Sequence, residues 1–159
     1  MLLIWYKSKK LSLPNKYKNQ TGFIPLNKIH IKATFYKEER LCSKKQIDFL
    51  FRAGKNEMSH PLKMMFIESL MDQKFPAKAM FVVPKKNFRK AHDRNKLKRR
   101  MREAYRLMKQ DIYNNPFLKD KKMLLAFIYV GKKQVDFSQI DSALQQLRKK
   151  LEKNLSVNN

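Results

Sequence analysis

Between Lys85 and Arg106 the chain carries eleven Lys or Arg residues and two acids, Asp93 and Glu103. Residues of this type at this density suit one chemistry above others, the binding of phosphate. Arg94, Arg99, Arg100, Arg102 and Arg106 present planar guanidinium groups, which bind phosphate through two parallel hydrogen bonds and stack on bases. Lys85, Lys86, Arg89 and Lys90 precede them as a basic strand end and loop, and the N–H groups that open a helix there would add to anion binding. Asn95, Arg99, Arg102 and Arg106 recur at i, i+4, i+7 and i+11, one stripe of a helix, with Lys96 beside them and Arg94 and Lys98 nearer the edge of the apolar side. Asn95 can either bond a ligand or cap the local backbone. Like charges at i, i+4 repel by a few tenths of a kcal/mol per pair (roughly 0.2–0.5), so repeating that penalty along one face points to a ligand that relieves it.

The rest of the chain agrees with the stretch. It has 37 Lys or Arg against 13 acids in 159 residues, a net charge of +24. Self-repulsion on that scale destabilises a lone compact chain, and a polyanion that sheds counterions offsets it. Nucleic acid is the reading we favour over a membrane surface or a merely soluble basic face. Self-sufficient catalysis has little support. The acids are scattered, no GxSxG, GxGxxG or GxxxxGK[ST] pattern occurs, and there are only three glycines. His30, His60 and His92 stand apart with no metal-ligand spacing, so we expect no catalytic residue and no metal bound by the protein. A single cysteine, Cys42, fits a reducing compartment. No apolar run approaches the ~18 residues of a membrane span, and the opening MLLIWYKSKK lacks the basic n-region of a secretory signal. We therefore expect a cytoplasmic protein with no membrane association.

The elements that must position the basic stretch can be read from periodicity. Residues 91–113 form a helix with Leu97, Met101, Ala104, Tyr105, Met108 and Ile112 on its buried stripe, ended by Asn114, Asn115 and Pro116. Residues 43–53 form a short amphipathic helix between Ser43 as N-cap and Gly54 as stop, with Ile47, Leu50 and Phe51 on one side. KMMFIE (63–68) and AMFVV (79–83) read as an antiparallel strand pair, with a further short strand near 55–60. MLLAFIYVG (123–131) reads as a central or doubly covered strand. Residues 137–151 read as a helix, with Ser138 and Asp141 close to a capping box and Ile140, Ala143, Leu144, Leu147 and Leu151 buried. The aromatic side chains Phe49, Phe51, Phe66 and Phe81 either stack on unpaired bases or fill the core; Phe81 is expected in the core. The class is α+β, one mainly antiparallel sheet with helices packed on it. Residues 1–33 are a basic extension expected to lack order without a partner, 34–153 the domain, and 154–159 a fraying tail.

RNKLKRRMREAYR (94–106) closely resembles the signature helix of the bacterial ribonuclease P protein subunit. FVVPKKNFRKAHDRN (81–95) is similar to that family's strand, basic turn and helix start, RLCSKKQIDFLFRAGK (40–55) to its first helix, and PLKMMFIE (61–68) to its next strand. The resemblance implies an αβββαβα sandwich of the ribosomal protein S5 domain 2-like type, with a left-handed β-α-β crossover around the basic helix. It implies a partner, the catalytic RNA subunit, which with Mg²⁺ hydrolyses the 5′ leader from precursor tRNA, and a monomeric protein bound 1:1 to that RNA with no cofactor of its own. Arg94, Asn95, Lys96, Lys98 and Arg99 match the signature and Lys85 and Lys86 its paired lysines, while Ile47, Phe51, Phe66 and Ile67 map to the cleft for the single-stranded leader. Lys96, Pro84 and Ile47 depart from the family's usual Arg, Ser and aromatic. A ribosomal-type RNA-binding protein without a catalytic partner is the alternative.

Overall fold

The computed structural model describes residues 34–116 and 121–157, so the basic extension 1–33 lies outside the described residues. The elements run α1 (Lys44–Ala53), β1 (Lys55–Ser59), β2 (Leu62–Glu68), β3 (Ala77–Val82), α2 (Ala91–Tyr113), β4 (Met123–Tyr129) and α3 (Phe137–Val157), with one 3-10 turn at Lys37–Glu39. This is the αβββαβα order expected from the sequence.

The four strands lie in the order β1-β2-β4-β3. β1 and β4 both pair antiparallel with β2, and β3 pairs parallel with β4. The expected antiparallel pairing of β2 with β3 is therefore corrected. The two strands do run in opposite directions, but β4 lies between them. The physical reason is composition. MLLAFIY buries six of its seven residues, and only an interior strand has both faces covered and both edges paired. β3 returns to β4 through α2, the crossover that two parallel neighbours require.

Strand alternation divides the core. Leu62, Met64 and Phe66 of β2, Ala77 and Ala79 of β3, and Leu125 and Phe127 of β4 face α2 and α3. Met65, Leu124 and Ala126 face the other way with Leu50 of α1, and Ile47, Phe49, Ile67, Met80 and Ile128 pack partly against them. The first layer is centred on aromatic side chains. Phe81 stacks on Phe127 at 5.6 Å and meets Tyr105 edge-on at 5.6 Å, so it serves the core as expected.

Helix ends follow local chemistry. Gly54 closes α1, its N–H bonded to the Leu50 carbonyl at 2.9 Å, and a Cβ there would come within 2.3 Å of that oxygen. Asn114 and Asn115 close α2 on Gln110 and Ile112. Two expectations for α3 change. The helix starts at Phe137, so Ser138 lies inside the first turn rather than at the cap, and it continues to Val157 because Leu155 adds one more buried position to the apolar stripe.

One buried pair was not foreseen. Lys109 of α2 and Glu39 are both almost wholly excluded from solvent and meet at 2.5 Å. Glu39 also accepts from the Tyr113 hydroxyl and the Tyr36 N–H, each at 2.6 Å, and Lys109 donates to the Thr34 carbonyl. Burial and the neighbouring carboxylate push the Tyr113 hydroxyl well above the usual tyrosine range, so it stays a donor. Removing one partner leaves an uncompensated buried charge. Lys109→Ala is expected to lower unfolding free energy by about 3–5 kcal/mol, read as a fall in the urea midpoint.

Candidate nucleic-acid interface

The basic turn is built from its anchors. Pro84 ends β3, and its carbonyl accepts the N–H groups of Asn87 and Phe88 at 3.2 and 3.4 Å. Phe88 is buried edge-on against Tyr129 at 5.6 Å, and the Asn87 amide donates to the carbonyls of Val130 and Gly131. With those two side chains turned inward, Lys85, Lys86, Arg89 and Lys90 are left exposed.

α2 continues the surface. All six residues expected on its apolar stripe are buried. Asn95, Lys96, Arg99 and Arg102 are exposed on the opposite ridge, with Lys98 half-buried at its flank. Two further residues of the set have intramolecular work. Arg94 donates from Nη1 to the Phe88 and Arg89 carbonyls at 2.8 and 2.7 Å, closing the basic turn onto the helix. Arg106 grips Glu103 through two bonds of 2.9 and 2.6 Å, and this holds the Glu103 carboxyl below its ordinary range. Arg100 extends toward α3 and donates to the Val135 carbonyl at 2.6 Å. An open recess of about 990 Å³ follows the ridge, lined by Asn95, Lys96, Arg99, Arg100, Arg102 and Arg106 among others, with Phe35 and Phe137.

Among the described residues, the opposite face of the sheet is covered by the ten residues of α1 and by Leu41 before it. Ile47 and Ile67 are half-buried on this side and Phe51 is 44% exposed. Phe66 does not join them. It is 4% exposed and packs in the layer under α2 and α3, because adjacent residues of a strand point to opposite faces. The residues that do share the α1 side, and that sequence reasoning passed over, are Met65, Met80 and Ile128, with Lys63 and Lys78 in register beside them. The parity of PLKMMFIE around its buried positions carries that signal.

Among the described residues, no group of three His, Cys, Asp or Glu side chains is placed to hold a metal ion, and no helix is long and apolar enough to cross a membrane.

A family model described as Ribonuclease P matches residues 35–152, which takes in every element from the 3-10 turn through most of α3. The chain belongs to the ribonuclease P protein family. Among curated relatives, the ribonuclease P protein component of Porphyromonas gingivalis is 32% identical over 69% of this chain and 80% of that relative. That of Chlorobium phaeobacteroides is 35% identical over 60% and 70%. Among solved structures, the RNase P protein from Thermotoga maritima superimposes with a TM-score of 0.56 at 28% identity, covering 70% of this chain and 96% of that one. The RNase P protein of Staphylococcus aureus gives the same TM-score at 19% identity over 71% and 94%, a likeness of fold. Membership gives the chain a role in ribonuclease P, a tRNA-processing endoribonuclease, and an RNA partner.

The two phenylalanines that the resemblance maps to the leader cleft separate by stability. Phe66→Ala is expected to cost about 3–5 kcal/mol, as for a buried aromatic, and Phe51→Ala under about 1 kcal/mol, both read from urea unfolding.

Proposed function

We propose that this chain is the protein subunit of a ribozyme, and that it assists a catalytic RNA in removing the 5′ leader from precursor tRNA. The observation that carries the reading is the exposed cationic ridge of Lys96, Arg99 and Arg102, with the amide of Asn95 beside them, standing on a helix whose other side completes the core. A ridge so supported keeps its charges fixed in space without any contribution from them to folding.

In this reading the ridge and the turn of Lys85, Lys86, Arg89 and Lys90 dock the catalytic RNA by neutralising phosphates and releasing counterions. Arg94 holds the turn in place through the Phe88 and Arg89 carbonyls and offers its outer edge to the same RNA. Arg106, Lys98 and the amide of Asn95 complete the surface. The face bearing Ile47, Phe51 and Ile67, with Met80 and Ile128, takes the single-stranded leader through apolar and stacking contact. Because the product lacks the leader, such contacts favour precursor over mature tRNA. We assign the hydrolysis to the RNA and its Mg²⁺, with no cofactor held by this chain, and one protein to each RNA in the cytoplasm. Reduced repulsion between the two RNAs would lower the Mg²⁺ needed.

The test is cleavage of a precursor tRNA at low Mg²⁺ by the protein alone, by a bacterial ribonuclease P RNA alone, and by both. Cleavage at the mature 5′ end that needs both is the expected result. No gain over RNA alone would leave a ribosomal-type RNA-binding protein as the better account, and cleavage by protein alone would move the chemistry onto this chain. Affinity for the RNA should fall with salt at a log–log slope of about −0.7 to −0.9 per phosphate neutralised, and Arg99→Ala should reduce the slope by roughly one contact.

A further inference from the structure

The recess along α2 is not purely cationic. Phe137, the first residue of α3, lines it and is 37% exposed, an apolar ring left in water beside a basic ridge. His92, Lys96, Arg99 and Arg100 line the same recess. Arg100 is fastened to the Val135 carbonyl two residues before Phe137, so the start of α3 is tied to the ridge. Gln134 donates to Asp93 at 2.8 Å and adds a second tie at the N-terminal end of α2. Phe35 closes the other flank, but it is committed to the core through edge contacts with Phe81 and Tyr105 at 5.8 and 5.6 Å. Phe137 is thus the wall with area to offer.

A helix that met only paired RNA would need nothing beyond cations, since the outside of a duplex presents phosphate and sugar. A partly exposed ring in one recess with cations carried on a packed helix suits an unpaired nucleotide: its base stacks on the ring and its phosphates meet the guanidinium and ammonium groups. The recess, at about 990 Å³, has room for a nucleotide and the backbone on either side.

We propose that Phe137, with Lys96 and Arg99, forms a stacking notch for one unpaired nucleotide of the RNA that docks on α2. The proposal rests on the reading of the ridge as an RNA-binding surface and adds a requirement for an unpaired base. It distinguishes this notch from the α1 face of the sheet, which lies on the other side of the molecule's core.

The experiment compares affinities of the full chain for two RNA hairpins, one with a single bulged nucleotide and one fully paired. Wild type should prefer the bulged hairpin. Phe137→Ala should lose roughly 5- to 150-fold in affinity for it, the range of one lost base stack, and bind the paired hairpin as before. Its salt slope should be unchanged, since stacking releases no counterion. Phe137→Trp should keep the preference. Arg99→Ala should instead weaken both hairpins and lower the slope. Far-ultraviolet circular dichroism of Phe137→Ala should match wild type and its urea midpoint should fall only slightly, because the ring is partly exposed and belongs to neither core layer. Equal affinity of wild type for the two hairpins, or a retained preference in Phe137→Ala, overturns the notch. If Arg99→Ala also leaves both affinities and the slope untouched, the reading of the ridge itself falls with it.

Discussion

Everything at this surface depends on the burial of one stripe of α2. The helix holds eight basic and three acidic residues, and its like charges oppose its formation. Each i, i+4 repulsion costs about 0.2–0.5 kcal/mol, so a handful together cost no more than about 2 kcal/mol. Each fully buried Leu, Met or Ile on the other stripe contributes about 1.5–3 kcal/mol. Leu97, Met101, Tyr105, Met108 and Ile112 are all within 2% of complete burial. The apolar stripe therefore wins by several-fold, and the charged ridge is held open by packing in which it has no part. The residues of the ridge are then free of any packing requirement.

The same logic explains why a lysine was spent inside the protein. Lys109 continues the ridge's flank toward the C-terminal half of α2, where Glu39 from before α1 reaches it. A buried ion pair is weak evidence for stability, since desolvation offsets most of the attraction. Its effect here is geometric. Lys109 bonds both Glu39 and the Thr34 carbonyl, and Tyr113 bonds Glu39, so the segment entering the domain has one seat on α2. The chain then bridges to β3 at Ala79, with the Leu41 N–H on the Ala79 carbonyl at 3.0 Å, and this covers part of the edge of β3. Phe35 and the flank of the ridge recess are placed by that anchorage.

Much of this was legible in the residues. A period of 3.6 sustained over 23 residues gave α2 and its six buried positions, because a long stripe leaves little ambiguity of phase. MLLAFIY read as a covered strand because nothing polar interrupts it. Strand adjacency was not legible. Strands consecutive in the chain favour a hairpin, but the most apolar strand takes the interior place, and it comes later in the chain. Phe66, which the resemblance maps to the cleft, lies in the other layer, because adjacent residues of a strand face opposite ways and only parity tells which. The pairing of Glu39 with Lys109 spans seventy residues and leaves no local pattern. In the candidate site, charge and spacing marked Lys85 to Arg106, yet they could not separate Arg94 and Arg106, which bond within the chain, from Arg99 and Arg102, which stand exposed.

The sheet also separates two surfaces of unlike chemistry. One layer, under α2 and α3, is complete, and its outer side is free to carry charge. The other is covered by a ten-residue helix that leaves Ile67, Met80 and Ile128 only partly buried. The helix stops at Gly54, where a side chain on the observed backbone would collide with the Leu50 carbonyl. The period of two in the strands sets the layer that carries α2 and the partly buried residues Ile67, Met80 and Ile128 on opposite faces, and the central strand β4 supplies residues to both layers.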